Sequence, residues 1–234
     1  MKVCFFTLGC KVNQQETAAM INMFSQHGWE IAEDREVSDV YIVNSCTVTL
    51  SGDKKSIQWI RRAKKQNPDA VVVLCGCMPQ AFPDKAVAVS EADIIIGSKG
   101  KGQIYDLVQQ FMAEKQRIVD IKPHGENDAF EELSEGEDTM HTRAFLKIQD
   151  GCNRSCAYCI IPKARGRVRS RSVESIVAQA KKLAVGKPMW TDKRTGESKR
   201  GKTVVLDLES AVKSPEAVTL LVRALADFNN IKEA

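Results

Sequence analysis

The sequence predicts an α/β fold that begins with an open parallel sheet carrying helices on both faces. Three observations predict it. Short apolar runs alternate with amphipathic stretches across residues 1–121, the pattern of strand–helix units in a parallel sheet. Cysteines fall just past several of those runs, where an open α/β sheet gathers its ligands. A hydrophobic share of 43% over 234 residues supplies a globular core.

The elements follow in chain order. Strands are expected at residues 3–7, 40–43, 70–74 and 93–96, each a short apolar run rich in valine, isoleucine or phenylalanine. Amphipathic patterns between and after them predict helices near 14–27, 52–66 and 103–115. A brief strand at 117–121 closes this first domain, residues 1–121. Residues 122–142 break the pattern. They open with Pro123-His124-Gly125-Glu126 and end in the acidic Glu135-Gly136-Glu137-Asp138, and they read as a linker or long loop. A second domain, 143–234, begins with a strand at 144–148 that leads into a cysteine loop. A helix is expected from about 173 to 184 with Ser172 as its N-cap. Residues 186–202 are polar and read as an exposed loop, followed by a strand at 203–208 and a helix near 215–227.

Composition narrows the function classes. No apolar run approaches the ~20 residues of a membrane span. The start, Met1-Lys2-Val3-Cys4-Phe5-Phe6, is apolar too briefly for a signal peptide. A cytoplasmic protein is expected, with no membrane partner and with its eight cysteines reduced. The net charge of +4 hides an asymmetry. Residues 1–141 carry 15 Lys and Arg against 21 Asp and Glu, whereas residues 142–234 carry 19 against 9. A basic half suits a polyanion such as nucleic acid, or is simply a solvated lysine-rich surface.

The cysteine loop carries the sharpest chemical signal. Cys152, Cys156 and Cys159 are spaced C-x3-C-x2-C within Asp150-Gly151-Cys152-Asn153-Arg154-Ser155-Cys156-Ala157-Tyr158-Cys159. Three thiolates on one loop can hold three irons of a 4Fe-4S cluster and leave the fourth iron open to a substrate or cofactor. The competing reading is a zinc site with a distant fourth ligand.

A second set follows the strands. Cys10 lies in Thr7-Leu8-Gly9-Cys10-Lys11-Val12-Asn13-Gln14, Cys46 in Val43-Asn44-Ser45-Cys46-Thr47, and Cys77 in Leu74-Cys75-Gly76-Cys77-Met78. Placed at three strand ends, they converge on one locus and suit a second cluster with an open iron. The alternative is that they are small buried hydrophobes, which fits Cys4 and Cys75. Cys75 shares a side with Cys77 in an extended chain and is the second choice as a ligand. Asn13 and Gln14 are candidate pocket residues or caps of the following helix, the capping role being favoured. After the loop, Lys163, Arg165, Arg167, Arg169 and Arg171 occupy every second position. In an extended segment they face one way, as a row for phosphates, for a cofactor carboxylate, or as a solvated strand edge.

These residues resemble a known family. The C-x3-C-x2-C loop with Tyr158 before its last cysteine resembles the radical S-adenosylmethionine enzymes. The flanks, Phe145-Leu146-Lys147-Ile148-Gln149-Asp150-Gly151-Cys152 and Cys159-Ile160-Ile161-Pro162-Lys163-Ala164-Arg165-Gly166-Arg167, resemble the methylthiotransferases among them. The segment Thr7-Leu8-Gly9-Cys10-Lys11-Val12-Asn13-Gln14-Gln15-Glu16-Thr17 is similar to the branch acting on N6-threonylcarbamoyladenosine beside the tRNA anticodon, at position 37. The isopentenyladenosine branch and the ribosomal-protein branch are the alternatives. The resemblance covers residue 1 to about 184.

The resemblance implies two 4Fe-4S clusters and S-adenosyl-L-methionine as cofactors. The cluster on Cys152, Cys156 and Cys159 would bind the methionyl group and cleave the cofactor to a 5′-deoxyadenosyl radical. That radical takes a hydrogen from C2 of the adenine. The cluster on Cys10, Cys46 and Cys77 would supply the methylthio sulfur, and a second S-adenosylmethionine the methyl. Tyr158, Arg165 and Arg167 become the candidate cofactor contacts. The implied partners are a tRNA anticodon loop, an electron donor such as flavodoxin or ferredoxin, and a sulfur source.

The C-terminal part departs from the family. Its members carry a full β/α barrel and then a small RNA-binding β-barrel, and residues 143–234 leave room for only part of that. Pro188-Met189-Trp190-Thr191-Asp192-Lys193-Arg194 matches no family motif, and Glu209-Ser210-Ala211 stands where a glycine-containing segment is expected. A partial, incomplete radical-SAM β/α barrel is therefore expected. The alternative function is that of a truncated, non-catalytic iron–sulfur or RNA-binding fragment.

Overall fold

The computed structural model describes residues 1–33, 36–133, 146–154, 156–186, 190–191 and 198–199, with side chains to residue 180. The strand expected at 203–208 and the helix near 215–227 lie outside the described residues. The chain divides into two compact units, Met1–Glu137 with Asp150–Arg169, and Asp138–Gln149 with Ser170–Ala234.

The first unit is built on a six-stranded, wholly parallel sheet. Its strands are β1 (Lys2–Thr7), β2 (Glu30–Ala32), β3 (Val40–Ser45), β4 (Val71–Gly76), β5 (Ile94–Ile96) and β6 (Ile118–Asp120). Their spatial order is β2-β1-β3-β4-β5-β6. The register runs Val3↔Val40 through Thr7↔Asn44 and Val40↔Val71 through Ser45↔Gly76. Every residue of β3 and β4 is buried, as expected of central parallel strands covered on both faces.

Alternate residues of those strands feed two cores. Tyr41, Val43, Val72 and Leu74 join Ile60 and Ala63 of α2 (Leu50–Gln66) on one face. Val40, Ile42, Val71 and Val73 join Met20 and Phe24 of α1 (Lys11–Gln26) and Ile104 and Val108 of α5 (Ile104–Glu114) on the other. Phe24 anchors the second core, meeting the rings of Phe5, Trp29 and Tyr105 edge-on at 5.8, 5.3 and 5.4 Å. The fold class is therefore an open parallel sheet with helices on both faces, and the described residues contain no closed barrel.

Several short elements carry no sequence pattern. Strand β2 has three residues. Helices α3 (Cys77–Ala81), α4 (Pro83–Val87) and α6 (Ile161–Arg165) have five each. Helix α6 corrects the expected row of alternating basic residues. Pro162 in its first turn favours helical backbone, so Lys163 and Arg165 do not lie on one extended edge.

Residues 122–133 also dock more firmly than a polar linker suggests. The Glu131 carboxylate accepts from the amides of Gly100 and Gly102, both at 3.1 Å, at the turn entering α5. Asp128 pairs with Lys99 at 2.6 Å. Polar residues anchor here by meeting unpaired backbone donors and a cation rather than by apolar burial.

Of the strand expected at 144–148, residues 144–145 lie outside the described residues and Leu146–Ile148 are not strand; β7 (Gln149–Asp150) precedes the cysteine loop and β8 (Arg169–Ser170) follows it. Helix α7 (Val173–Gly186) begins as the sequence predicts, with the Ser175 amide donating to Ser172 Oγ at 3.2 Å. Leu146, Ile176 and Ala180 form its small core. Within 186–202, β9 (Trp190–Thr191) and β10 (Ser198–Lys199) pair antiparallel.

Candidate functional site

The parallel sheet delivers three thiols to one end. Cys10 follows β1 and forms the N-cap of α1, Cys46 follows β3, and Cys77 follows β4 as the first residue of α3. Strands β1 and β3 are sheet neighbours although β2 intervenes in sequence. The order of connections therefore reverses between them, and such switch points open a crevice beyond the carboxyl ends.

Asn13 is the hub of this locus. It is completely buried, and its side-chain amide nitrogen donates to the carbonyls of Leu8 and Ser45, each at 2.9 Å. Those two bonds direct Oδ1 toward the thiols. Cys10 Sγ lies 3.6 Å from it and Cys77 Sγ 4.0 Å. Asn13 is therefore a pocket residue and not a helix cap, which corrects the favoured sequence reading. Gln14 is exposed.

Cys46 closes on the same point from β3. Gly9 has φ +112°, and a Cβ there would lie 2.8 Å from Cys46 Cβ and 3.0 Å from its Sγ. A side chain at position 9 would thus occupy the space through which Cys46 approaches. Burial pushes the Cys46 thiol up, and neighbouring Cys77 and Cys10 add to that, while Arg165 opposes them. The adjacent Thr47 Oγ1 is buried with no hydrogen-bond partner.

Cys75 stands apart. It lies in the apolar core with Val71 and Val73, fully buried, and burial pushes its thiol up to about 12. The chain turns into α3 after Gly76, so Cys75 and Cys77 do not share one extended side.

The second thiol set sits on the loop 151–160. Gly151 has φ +79°, and a Cβ there would come within 2.1 Å of the Arg167 carbonyl oxygen. The Cys152 amide donates to Gly166 O at 3.0 Å. These contacts clip the start of the loop to the chain that follows it. Cys159 N donates to Cys156 O at 3.0 Å, and Arg154 N to Cys152 Sγ at 3.4 Å. Cys156 is exposed, and Tyr158 is 93% exposed.

Helix α6 then returns the chain to the first locus. Ile160 and Ala164 pack against Cys77 and Ala81 of α3, and Ser98 Oγ donates to Ala164 O at 2.7 Å. The Arg165 guanidinium, 4% exposed, meets Glu16 through both terminal nitrogens. It also donates to Asn13 Oδ1 at 2.5 Å and to Asp150 at 3.3 Å. Lys101, fully buried, pairs with the same Glu16. Burial works against the Arg165 charge, but Glu16, then Cys77 and Asp150, outweigh it and hold the group well above its ordinary range.

The remaining basic residues divide by environment. Arg169 is partly buried, its guanidinium donating to Arg165 O at 2.9 Å and lying 3.7 Å from Asp150. Arg171 donates to Ser175 Oγ at 2.9 Å and to Gln179. Arg167 is 65% exposed and pairs with exposed Glu126 at 3.0 Å. Lys163 lies over the Phe82 ring at 4.7 Å.

Sequence reasoning missed Glu16, Lys101 and Asp150. A signal existed for Glu16. Asn13, Glu16, Thr17 and Met20 share one helical face at i, i+3, i+4 and i+7, so polar residues occupy the start of a stripe that continues into the core. Lys101, between two glycines, offered none.

The donor chemistry fits iron–sulfur ligation at both sets. Among the described residues no three His, Cys, Asp or Glu side chains close up as they would around a single ion. Thiolates of a cuboidal cluster bind separate irons and stand wider apart than that. No helix among the described residues is long and apolar enough to cross a membrane.

Comparisons with known proteins agree with this arrangement. Residues 2–97 match the model of Uncharacterized protein family UPF0004, and residues 146–193 that of the Radical SAM superfamily. The chain is 44% identical over 181 residues to the threonylcarbamoyladenosine tRNA methylthiotransferase MtaB of Bacillus subtilis, covering 77% of this chain and 40% of that protein. It is 39% identical over 187 residues to the protein of that name from Aquifex aeolicus, covering 79% and 45%. It is 32% identical over 183 residues to the ribosomal protein uS12 methylthiotransferase RimO of Trichodesmium erythraeum, covering 78% and 41%. The chain thus spans less than half the length of these relatives. Both domain types are thus matched in this order within the one chain, which over more than three quarters of its length is similar to methylthiotransferases.

Proposed function

We propose that this chain carries the sulfur-insertion half of a tRNA methylthiotransferase that adds a methylthio group to C2 of N6-threonylcarbamoyladenosine. The observation that carries the reading is the convergence of Cys10 and Cys77 on Asn13, with Cys46 against Gly9. A second thiol set lies on the loop of the same compact unit. Cys10, Cys46 and Cys77 hold one 4Fe-4S cluster in this reading, and Cys152, Cys156 and Cys159 hold the other. When bound, the clusters and S-adenosylmethionine supply the radical and sulfur-transfer chemistry. The protein's own part is to hold the thiols in place. The Arg154 amide at Cys152 Sγ and the Asn13 oxygen between Cys10 and Cys77, itself held by Arg165, serve that role. Higher identity to the two threonylcarbamoyladenosine enzymes than to the ribosomal-protein enzyme favours tRNA as substrate. An electron donor and a sulfur source complete the reaction.

Anaerobic reconstitution with iron and sulfide tests the site. About eight irons per chain fit two clusters, and a single zinc would refute the reading. Comparing the modified nucleosides of tRNA from cells with and without the gene tests the substrate. The alternative is an iron–sulfur or RNA-binding module that binds clusters without turnover. Release of 5′-deoxyadenosine from S-adenosylmethionine under reduction separates the two.

A further inference from the structure

We propose that Arg165 is a positioning residue of the Cys10, Cys46 and Cys77 locus, holding the Asn13 amide and setting the positive charge against which the thiolates and their cluster stand. The proposal rests on the reading of that locus as an iron–sulfur site.

Asn13 has a defined orientation, because its nitrogen is committed to the Leu8 and Ser45 carbonyls. Its oxygen therefore points at Cys10 and Cys77. A bare carbonyl oxygen would repel two thiolates and the negatively charged cluster they hold. Arg165 Nη2 donates to that same oxygen at 2.5 Å, drawing off its negative charge and placing a cation behind it.

Pairing with Glu16 does not by itself account for Arg165. Glu16 already has buried Lys101 as a partner. Arg165 comes from α6, whose Ala164 packs on Cys77 and Ala81, so the segment after the cysteine loop brings the cation to a site whose ligands all lie in the first 77 residues. The planar fork suits the task, reaching Glu16 and Asn13 together, which a lysine ammonium cannot match.

The test uses the full chain with Cys152, Cys156 and Cys159 replaced by alanine, so that iron reports the first locus alone. Into it go Arg165→Met, Arg165→Lys and the pair Arg165→Met with Glu16→Gln. Each is reconstituted anaerobically, and iron, sulfide, circular dichroism and the cluster's reduction potential are measured. The expected result is a cluster in every variant, with the potential shifted negative in Arg165→Met because the added electron loses a nearby cation. Arg165→Lys should recover most of that shift. In Arg165→Met the Glu16 carboxylate keeps Lys101 as its partner, and the double variant removes one charge of each sign, so its potential should return toward the parent's. Iron content and potential equal to the parent in Arg165→Met would overturn the proposal. So would loss of iron that tracks loss of fold in all three variants, which would make Arg165 a folding residue only. A parent that binds no iron overturns the cluster reading itself, and the proposal with it.

Discussion

Arg165 Nη2 lies 2.5 Å from Asn13 Oδ1, joining residues 152 positions apart in the sequence. The bond ties the chain after the cysteine loop to the first turn of α1, beside Cys10. Its geometry follows from burial: both side chains are enclosed, so each polar atom must find a partner within the protein.

Asn13→Ala should therefore be costly. It removes the donor to the Leu8 and Ser45 carbonyls and an acceptor of Arg165. Buried groups left unpaired cost about 1–3 kcal/mol each, so a loss on the order of 3 kcal/mol is expected by urea unfolding. Asn13→Asp should fare no better, since it turns an acceptor toward two carbonyls and adds charge beside the thiols. Unfolding midpoints within experimental error of the parent would refute the hub role.

The two cysteines flanking Gly76 should separate cleanly. Cys75→Ala should retain the full complement of reconstituted iron and lose modest stability, because Cys75 only fills the core and its thiol is held up near 12. Cys77→Ala should lose about half the iron if each site holds a 4Fe-4S cluster. Iron and sulfide per chain decide the matter. Equal iron in both variants would remove Cys77 from the ligand set.

How far the sequence reveals this site depends on what each residue does. The sheet was legible because β3 and β4 are covered on both faces and so read as unbroken apolar runs. The loop of Cys152, Cys156 and Cys159 was legible because its spacing is local. Strand β2 was not, since Glu30, Ile31 and Ala32 are too few to show a period. Asn13 was misread because asparagine near a helix start most often caps it. Here the backbone carbonyls of two other strand ends claim its side chain. Lys101 and Arg165 were unreadable as a pair. Buried charge is rare enough that sequence reasoning places it at the surface, and only the fold shows that Glu16 stands between them.

Stability should fall with acid through His124. The ring packs over Gly166, with Nε2 3.2 Å from Ser98 Oγ. Burial holds its pKa below the ordinary value of 6.5. A base with a lowered folded-state pKa is neutral in the fold and charged sooner in the unfolded chain. Its contribution is complete above about 6.5 and is lost as pH falls toward the folded value. Asp128 adds to the same trend, its carboxyl held low first by Lys99. Urea midpoints of the parent should decline below about pH 6.5 more steeply than those of His124→Gln. Parallel curves would show that His124 is not responsible.

The exposed and buried arginines after the loop should behave differently toward RNA. Arg167 and its partner Glu126 are 65% and 78% exposed, and a surface pair of this kind contributes little to the fold. Its guanidinium is free to exchange a carboxylate for a phosphate. Arg169 is 11% exposed and spends its donors on Arg165 O and His124, with Asp150 nearby. On the tRNA reading, Arg167→Ala should weaken tRNA binding and reduce the slope of log affinity against log salt by about one. It should leave the unfolding midpoint unchanged. Arg169→Ala should do the reverse, lowering stability while the slope stays constant, because a guanidinium whose donors are engaged within the protein releases no counterion from RNA. Titration of tRNA across a range of potassium chloride measures both. An unchanged slope in Arg167→Ala would place the RNA elsewhere on the basic half of the chain.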